Sequence, residues 1–192
     1  VGTQSGLVRY ADQRFVRFAA DSLELPAVLA LLEDREGHLW AAAAESYFID
    51  VSIRGGLSRY DGREWTHYAD ALGSELINAM AEDREGNIWV GTRSKLARYD
   101  AGEFARFTSE NGLAGDGVRA ILEDARGHIW FGTDQGLSRY DGVDFERIDL
   151  EEPRSYLWGV AWMVMDGCGL VLIVARDVQQ RWHAGEMSVW IW

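Results

Sequence analysis

The chain has 192 residues, of which 47% are hydrophobic and 26% charged, a composition typical of a globular protein and not of a disordered one. Lys and Arg total 19 against 31 Asp and Glu, and the net charge of −12 argues against binding to the phosphate backbones of DNA or RNA. The single cysteine, Cys168, excludes an internal disulfide framework and a cysteine-based zinc site.

The first residues look like the second half of a repeated unit. The segment VGTQSGLVRYADQRFVRF resembles the end of later copies but lacks their opening portion. The chain also begins at Val1 with no charged and apolar leader. We therefore expect it to be a fragment of a longer protein with further repeats.

Self-similarity at a fixed period dominates the rest of the chain. Residues 77–107 and 118–148 align at a spacing of 41 residues and share the pattern E-D-x-x-G-x-I-W-x-G-T. The five predicted copies, which together form one domain over 1–192, are 1–24, 28–68 with an insertion at 44–55, 77–107, 118–148 and a degenerate copy at 160–190.

Residues 157–175 allow two interpretations. With Asp166 as the one charge in 19 residues, the segment is long enough for a transmembrane helix. An Asp in mid-membrane would cost roughly 2.5–3.5 kcal/mol, and three glycines weaken a helix further. The degenerate repeat is the interpretation that we favour, and the helix is the alternative.

Each copy contains four short apolar runs separated by turn signals. In the last clear copy the runs are Val118–Leu122, His128–Gly132, Leu137–Tyr140 and Phe145–Ile148. Asp124–Gly127 and Asp141–Gly142 are typical of tight turns, so four antiparallel strands are predicted. A sheet of this size cannot bury both faces alone, and repeated sheets must stack around an axis. The predicted fold is all-β, an open and incomplete β-propeller segment of four to five four-stranded antiparallel blades.

Aromatic residues recur at fixed positions of the repeat. Trp40, Trp89 and Trp130 share one position and are interpreted as anchors packed between adjacent sheets. Three further aromatic pairs, also assigned to the core, are Tyr60 with Trp65, Tyr99 with Phe104 and Tyr140 with Phe145.

The string E-D-x-x-G-x-I-W-x-G-T-x-x-G-L-x-R-Y-D, read from Glu123 to Asp141 and nearly repeated from Glu82 to Asp100, resembles the two-component regulator propeller repeat. The resemblance implies a sensory propeller of the periplasmic or extracytoplasmic region of sensor kinases or diguanylate cyclases, often detecting carbohydrate fragments. Ala41–Ala43, Lys95 and Leu172 depart from the pattern. Kinase, receiver and cyclase motifs are absent from the sequence, so we expect sensing without catalysis.

Strand alternation places the turns after the second strand, and the links between blades, at one variable end of the propeller. Loops on a rigid scaffold tend to carry binding sites. The candidate ligand-binding residues there are Tyr47, Phe48, Asp50, Arg54, Arg93, Lys95, Asn111, Asp116, Asp134 and Gln135. The alternative for the insertion is a lengthened hairpin without a partner.

No catalytic, metal or cofactor site is predicted. His38 and His128 share a turn position with Asn87 and are interpreted as turn residues. The repeated Glu-Asp pairs are assigned to turn chemistry, because adjacent strand side chains face opposite ways. A propeller lyase or hydrolase, with a histidine beside a carboxylate in the central channel, is one alternative function. A protein-interaction scaffold with a wide apolar patch is another.

The expected partners are a small molecule or oligosaccharide and, at the open edges, the remaining blades or a second copy of the chain. Nucleic acid is not expected. Membrane attachment is expected only through a segment of the parent chain outside these residues.

Overall fold

The computed structural model describes residues 1–3, 6–11, 13–18, 27–44, 55–68, 72–73, 76–148, 157–165, 168–175, 182–184 and 187–189. These residues form nineteen β-strands, and a short 3-10 helix spans Ser109–Asn111. The all-β prediction is therefore confirmed.

The strands form four consecutive antiparallel sheets followed by two hairpins. Sheet 1 consists of β1 (Gly2–Thr3), β2 (Gly6–Ala11) and β3 (Arg14–Phe18). Sheet 2 consists of β4 (Ala27–Glu33), β5 (Leu39–Ala44), β6 (Gly55–Tyr60) and β7 (Trp65–His67). Sheet 3 consists of β8 (Ile77–Glu82), β9 (Ile88–Thr92), β10 (Leu96–Asp100) and β11 (Glu103–Phe107). Sheet 4 consists of β12 (Val118–Glu123), β13 (Ile129–Thr133), β14 (Gly136–Tyr140) and β15 (Phe145–Ile148).

Two hairpins follow sheet 4. The first pairs β16 (Leu157–Met165) with β17 (Cys168–Ala175), and the second pairs β18 (Trp182–Ala184) with β19 (Met187–Val189). The segment considered for a transmembrane helix is thus a β-hairpin, and that alternative is wrong. Within the described residues, no helix is long and apolar enough to cross a membrane.

The first strands of successive sheets lie against one another. β4 contacts β8, β8 contacts β12, and β12 contacts β16, while β1 of sheet 1 contacts β4. This is the arrangement of a propeller, in which each sheet turns its inner strand toward the axis. The β16–β17 hairpin therefore lies beside sheet 4, where the first two strands of a fifth sheet would lie.

The core lies between the sheets. Trp40 of sheet 2 packs with Ile88 and Val90 of sheet 3. Trp89, one repeat later, packs with Ile129 and Phe131 of sheet 4. The prediction that the repeated tryptophan anchors adjacent sheets is confirmed for Trp40 and Trp89, whereas Trp130 is half-buried and belongs to neither core cluster.

Gly91 marks a close approach between sheets 3 and 4. A Cβ atom at this position would lie 2.7 Å from Cγ1 and 3.0 Å from Cβ of Val118. We expect Gly91→Ala to destabilise the chain by about 1–3 kcal/mol, because the two sheets must separate to admit the methyl group. Urea unfolding measures the effect. When Gly91→Ala and Val118→Ala are combined in one chain, the loss of unfolding free energy should be smaller than the sum of the two single losses. Strict additivity would contradict the contact.

Candidate functional site

The propeller has two chemically different ends. The turn end carries the turns between the first and second strands and between the third and fourth strands of each sheet. The loop end carries the turns between the second and third strands together with the links between sheets. These two names are used below in that sense.

At the turn end, one aspartate per sheet organises the turn and fixes the tryptophan. Asp83 Oδ1 accepts hydrogen bonds from the backbone N–H groups of Glu85 (3.1 Å) and Asn87 (2.8 Å). Its Oδ2 accepts from Trp89 Nε1 at 2.7 Å and from Asn87 Nδ2 at 2.9 Å. Both carboxylate oxygens are thus occupied by the chain itself.

The same arrangement recurs in sheets 2 and 4. Asp34 Oδ2 lies 2.8 Å from Trp40 Nε1, and Asp124 Oδ2 lies 3.0 Å from Trp130 Nε1. The Nδ1 atoms of the two histidines, His38 and His128, each lie 3.1 Å from the aspartate of their own turn. The histidines therefore stand where Asn87 stands in sheet 3, in agreement with their interpretation as turn residues.

Arginines of the third strand complete the turn-end lattice. Arg59, Arg98 and Arg139 are the cross-strand partners of Trp40, Trp89 and Trp130, respectively. Their guanidinium carbons lie 5.6, 5.6 and 5.9 Å from the tryptophan ring centroids. Each arginine thus stacks on the tryptophan that its own sheet presents to the next.

Ion pairs between neighbouring sheets were missed by the sequence interpretation. Arg35 Nε lies 2.6 Å from Glu82 Oε1, and Arg84 bonds Glu123 in the same way one repeat later. Glu82 and Glu123, the glutamates of the second and third Glu-Asp pairs, therefore each tie their sheet to the one before. The signal for these ion pairs in the sequence was the string Glu-Asp-Arg, which occurs at 33–35 and 82–84. In the third copy Ala125 replaces the arginine.

The Asp124 carboxyl titrates far below its usual range. Burial by itself would raise its pKa, but hydrogen bonds from the Trp130 indole and from the backbone and ring of His128 lower the pKa to about 2. The folded pKa is below the ordinary value of 3.8, so the ionised form stabilises the fold above pH 4 and this stability is lost as the pH falls toward 2. The contribution at neutral pH is on the order of 2 kcal/mol.

We therefore expect the free energy of unfolding to fall between pH 4 and pH 2, and to fall less steeply in Asp124→Asn. Urea unfolding across that pH range measures both slopes. Equal slopes for the two proteins would contradict the assignment to Asp124.

At the loop end, threonines close the turns between the second and third strands. Thr92 Oγ1 donates to the Lys95 carbonyl at 3.0 Å, and Thr133 Oγ1 donates to the Gly136 carbonyl at 2.8 Å. In sheet 2, Ala43 and Ala44 continue β5 instead and pair with the start of β6. The departure at Ala41–Ala43 therefore coincides with the insertion, whose residues 45–54 lie outside the described part.

The link between sheets 3 and 4 is folded on itself. Asn111 Oδ1 accepts from the Thr108 backbone N–H at 2.9 Å, and Asp116 Oδ1 accepts from the Ser109 N–H at 2.6 Å. The link also docks on sheet 4, where Asp134 N–H donates to the Gly117 carbonyl at 2.9 Å.

This docking brings two turns and the link together. A Cβ on Gly117 would lie 3.0 Å from both the Arg93 carbonyl oxygen and Asp134 Oδ2. The turn of sheet 3, the link and the turn of sheet 4 therefore form one continuous surface. Arg93 and Gln135 are exposed on it, and Lys95 and Asp134 are half-buried.

The remaining candidates differ in their surroundings. Asn111 and Asp116 hold the link in shape, because Oδ1 of each side chain accepts a hydrogen bond from the backbone of the link. The four candidates in the insertion, Tyr47, Phe48, Asp50 and Arg54, lie outside the described residues. Among the residues that the structure describes, no group of three or more His, Cys, Asp or Glu side chains is placed to hold a metal.

A family profile described as the two component regulator propeller matches residues 71–94 and 112–135. Each match runs from an inter-sheet link through the first two strands, and the resemblance stated from the sequence is confirmed. No curated protein matches the chain.

Solved structures of bacterial propellers share the fold. Two structures of the extracellular domain of the BT4673 system of B. thetaiotaomicron match this chain. The first is 25% identical with a TM-score of 0.54, and the second is 18% identical with a TM-score of 0.62. These matches cover 72% and 94% of this chain but 19% and 26% of that one. The chain thus spans about a quarter, or less, of the extracellular domain that it resembles.

Two other similar structures have different roles. PorZ, a surface component of the type-IX secretion system of Porphyromonas gingivalis, is 16% identical with a TM-score of 0.64, covering 89% of this chain and 28% of its own. Virginiamycin B lyase of Staphylococcus aureus is 17% identical with a TM-score of 0.59, and the match covers 79% of this chain and 50% of the lyase chain. At these identities the likeness extends to the fold alone.

Proposed function

Because this chain carries two-component regulator propeller repeats, we propose that it is the non-catalytic, ligand-sensing propeller of a two-component-type signalling protein, exposed on the periplasmic side. Its ligand is a small polar molecule such as an oligosaccharide, bound at the loop end. The similarity to the extracellular domain of a putative one-component system supports this location and role.

The observation that carries the proposal is the contrast between the two ends. At the turn end, the same Asp, Trp and Arg contacts recur in sheets 2 to 4, and both oxygens of Asp83 are engaged by the chain. At the loop end, Arg93 and Asp134 stand at equivalent places in neighbouring turns but carry opposite charges. Variation on a rigid scaffold is typical of a binding surface.

The chemistry of the loop end suits a polyhydroxylated ligand. The guanidinium of Arg93 and the amide of Gln135 offer donors and an acceptor in fixed planes. Asp134, whose Oδ1 accepts from the Gly117 N–H at 3.3 Å, offers Oδ2 as an acceptor beside them. The net charge of −12 disfavours a polyanionic ligand. Asn111 and Asp116 contribute by holding the link in shape.

The lyase or hydrolase alternative has less support from the geometry. In the described part of the chain, histidine contacts carboxylates only in the turns of Asp34 and Asp124. Those two aspartates already accept bonds from tryptophan and backbone groups. The scaffold alternative predicts a wide apolar patch, whereas the described loop-end candidates are charged or polar.

A thermal-melt screen tests the proposal with a panel of oligosaccharides, peptides and nucleotides. A ligand at 1,000 times its dissociation constant should stabilise the chain by about 4 kcal/mol. Arg93→Ala should then weaken binding by about 10- to 100-fold, the loss of one hydrogen bond to a charged group. Arg126→Ala is the matched control, because Arg126 is an exposed arginine in a turn at the opposite end.

If Arg126→Ala weakens binding and Arg93→Ala leaves it unchanged, the ligand binds at the turn end, and the proposed site at the loop end is wrong. A chain that melts cooperatively but is stabilised by no member of the panel would remove the support for a small polar ligand.

A further inference from the structure

The face of sheet 1 that points away from sheet 2 is apolar and exposed. Val1, Tyr10 and Phe15 are 72%, 60% and 71% exposed. Tyr10 and Phe15 are cross-strand partners whose ring centroids lie 4.8 Å apart. This set of three residues is called the outer face below. Contiguous exposed apolar surface of this kind marks an interaction site.

The equivalent residues of sheet 3 show what covers such a face. Val90, Tyr99 and Phe104 occupy the positions of Val1, Tyr10 and Phe15 in the repeat. They belong to the core cluster that sheet 3 forms with sheet 2. The Trp40 ring meets the Tyr99 ring edge-on at 4.9 Å, and Tyr68 meets Phe104 at 5.3 Å.

Sheet 4 repeats the same contacts with sheet 3. The Trp89 ring lies 5.2 Å from Phe131 and 5.4 Å from Tyr140. Phe107, at the end of the fourth strand of sheet 3, lies 5.2 Å from Phe145. In both interfaces, the covering sheet supplies a second-strand tryptophan and a fourth-strand aromatic residue.

We propose that the outer face of sheet 1 docks another propeller sheet of this repeat, one that presents a second-strand tryptophan to Tyr10. The polar contacts fit as well. Arg59 stacks on Trp40, and its Nη1 lies 3.4 Å from the Tyr99 hydroxyl. In the docked sheet, the arginine that stacks on the equivalent tryptophan would reach the Tyr10 hydroxyl in the same way. The proposal is independent of the ligand at the loop end.

A second copy of this chain fits the outer face less well. Its last described tryptophan of this type is Trp130, on the side of sheet 4 that faces the β16–β17 hairpin. That hairpin would have to leave β12 and β13 before Trp130 reached Tyr10 of another copy. The sheet that docks is therefore one whose tryptophan is uncovered.

The test extends the chain with a second copy of residues 77–130 that is joined directly to Val1. In the extended chain the copied Trp130 precedes Val1, just as the original Trp130 precedes Phe131 in sheet 4. Six proteins are compared: the chain with and without this extension, each in unsubstituted form, with Tyr10→Lys and Phe15→Lys together, and with Val143→Lys. Val143→Lys serves as the control, since Val143 is exposed but lies in the last hairpin turn of sheet 4.

In the unextended chain the double substitution should move the melting temperature by no more than about 2 °C, as expected for exposed sites. In the extended chain it should lower the melting temperature by at least about 6 °C, because both rings are then buried. Val143→Lys should have the same small effect in both backgrounds. Hydrogen exchange should show the added residues protected.

Equal, small shifts in both backgrounds would overturn the proposal, as would added residues that stay unprotected from exchange. Concentration-dependent dimerisation of the unextended chain, abolished by the double substitution, would assign the outer face to a second copy and would also overturn it.

Discussion

Replacing Trp89 by alanine is expected to lower the free energy of unfolding by about 3–5 kcal/mol, a large share of the 5–15 kcal/mol of a typical domain. The Trp89 ring is buried between sheets 3 and 4 and packs against Phe107, Phe131 and Tyr140. Removing the ring leaves a cavity at an interface that holds two sheets together, and it removes the surface on which Arg98 stacks.

Urea unfolding followed by circular dichroism measures the loss. Phe15→Ala is the control, since Phe15 is an exposed aromatic residue of the same fold and should cost less than about 0.5 kcal/mol. If the two substitutions cost the same, the interpretation of the repeated tryptophan as an inter-sheet anchor is wrong.

Replacing Asp83 by alanine is expected to cost about 3 kcal/mol or more. Asp83 is 3% exposed and accepts from two backbone N–H groups, the Asn87 amide and the Trp89 indole. The substitution leaves the buried indole N–H without an acceptor, and an unsatisfied buried donor costs about 1–3 kcal/mol by itself. The turn also loses the acceptor for its two backbone groups.

The control is Asp141→Ala in the hairpin turn of sheet 4. Asp141 also accepts from two backbone N–H groups, of Val143 and Asp144, but these are exposed and water replaces the carboxylate. We expect a clearly smaller loss there than at Asp83, measured by the same unfolding experiment. A loss at Asp141 that equals the loss at Asp83 would show that turn formation, and not burial of the indole bond, sets the cost.

The sequence was sufficient for the strands and for the stacking of sheets. In sheet 4 the predicted run Val118–Leu122 is observed as Val118–Glu123, and Phe145–Ile148 is unchanged. These bounds follow from local alternation and from aspartate and glycine turns, which depend on neighbours in sequence. The hairpin at Leu157–Ala175 was ambiguous, because a buried strand pair and a membrane helix have the same hydropathy over 19 residues.

The arrangement at the loop end was beyond sequence reasoning. Asn111 and Asp116 look like ligand-binding residues in the sequence, but the structure shows that their oxygens accept bonds from the link itself. A polar loop has the same composition whether its side chains bind the backbone or a ligand. The Arg35–Glu82 ion pair was also missed, because it joins residues 47 positions apart that only the stacking of sheets brings together.

The division of the propeller into a structural turn end and a loop end that we propose binds the ligand is tested most directly by hydrogen exchange of the whole chain. The exchange is measured with and without the best-binding member of the oligosaccharide, peptide and nucleotide panel. We predict that the ligand slows exchange in residues 93–95, 108–117 and 134–136 and leaves residues 34–38, 83–87 and 124–128 unchanged. Protection confined to the second set of residues would contradict the account.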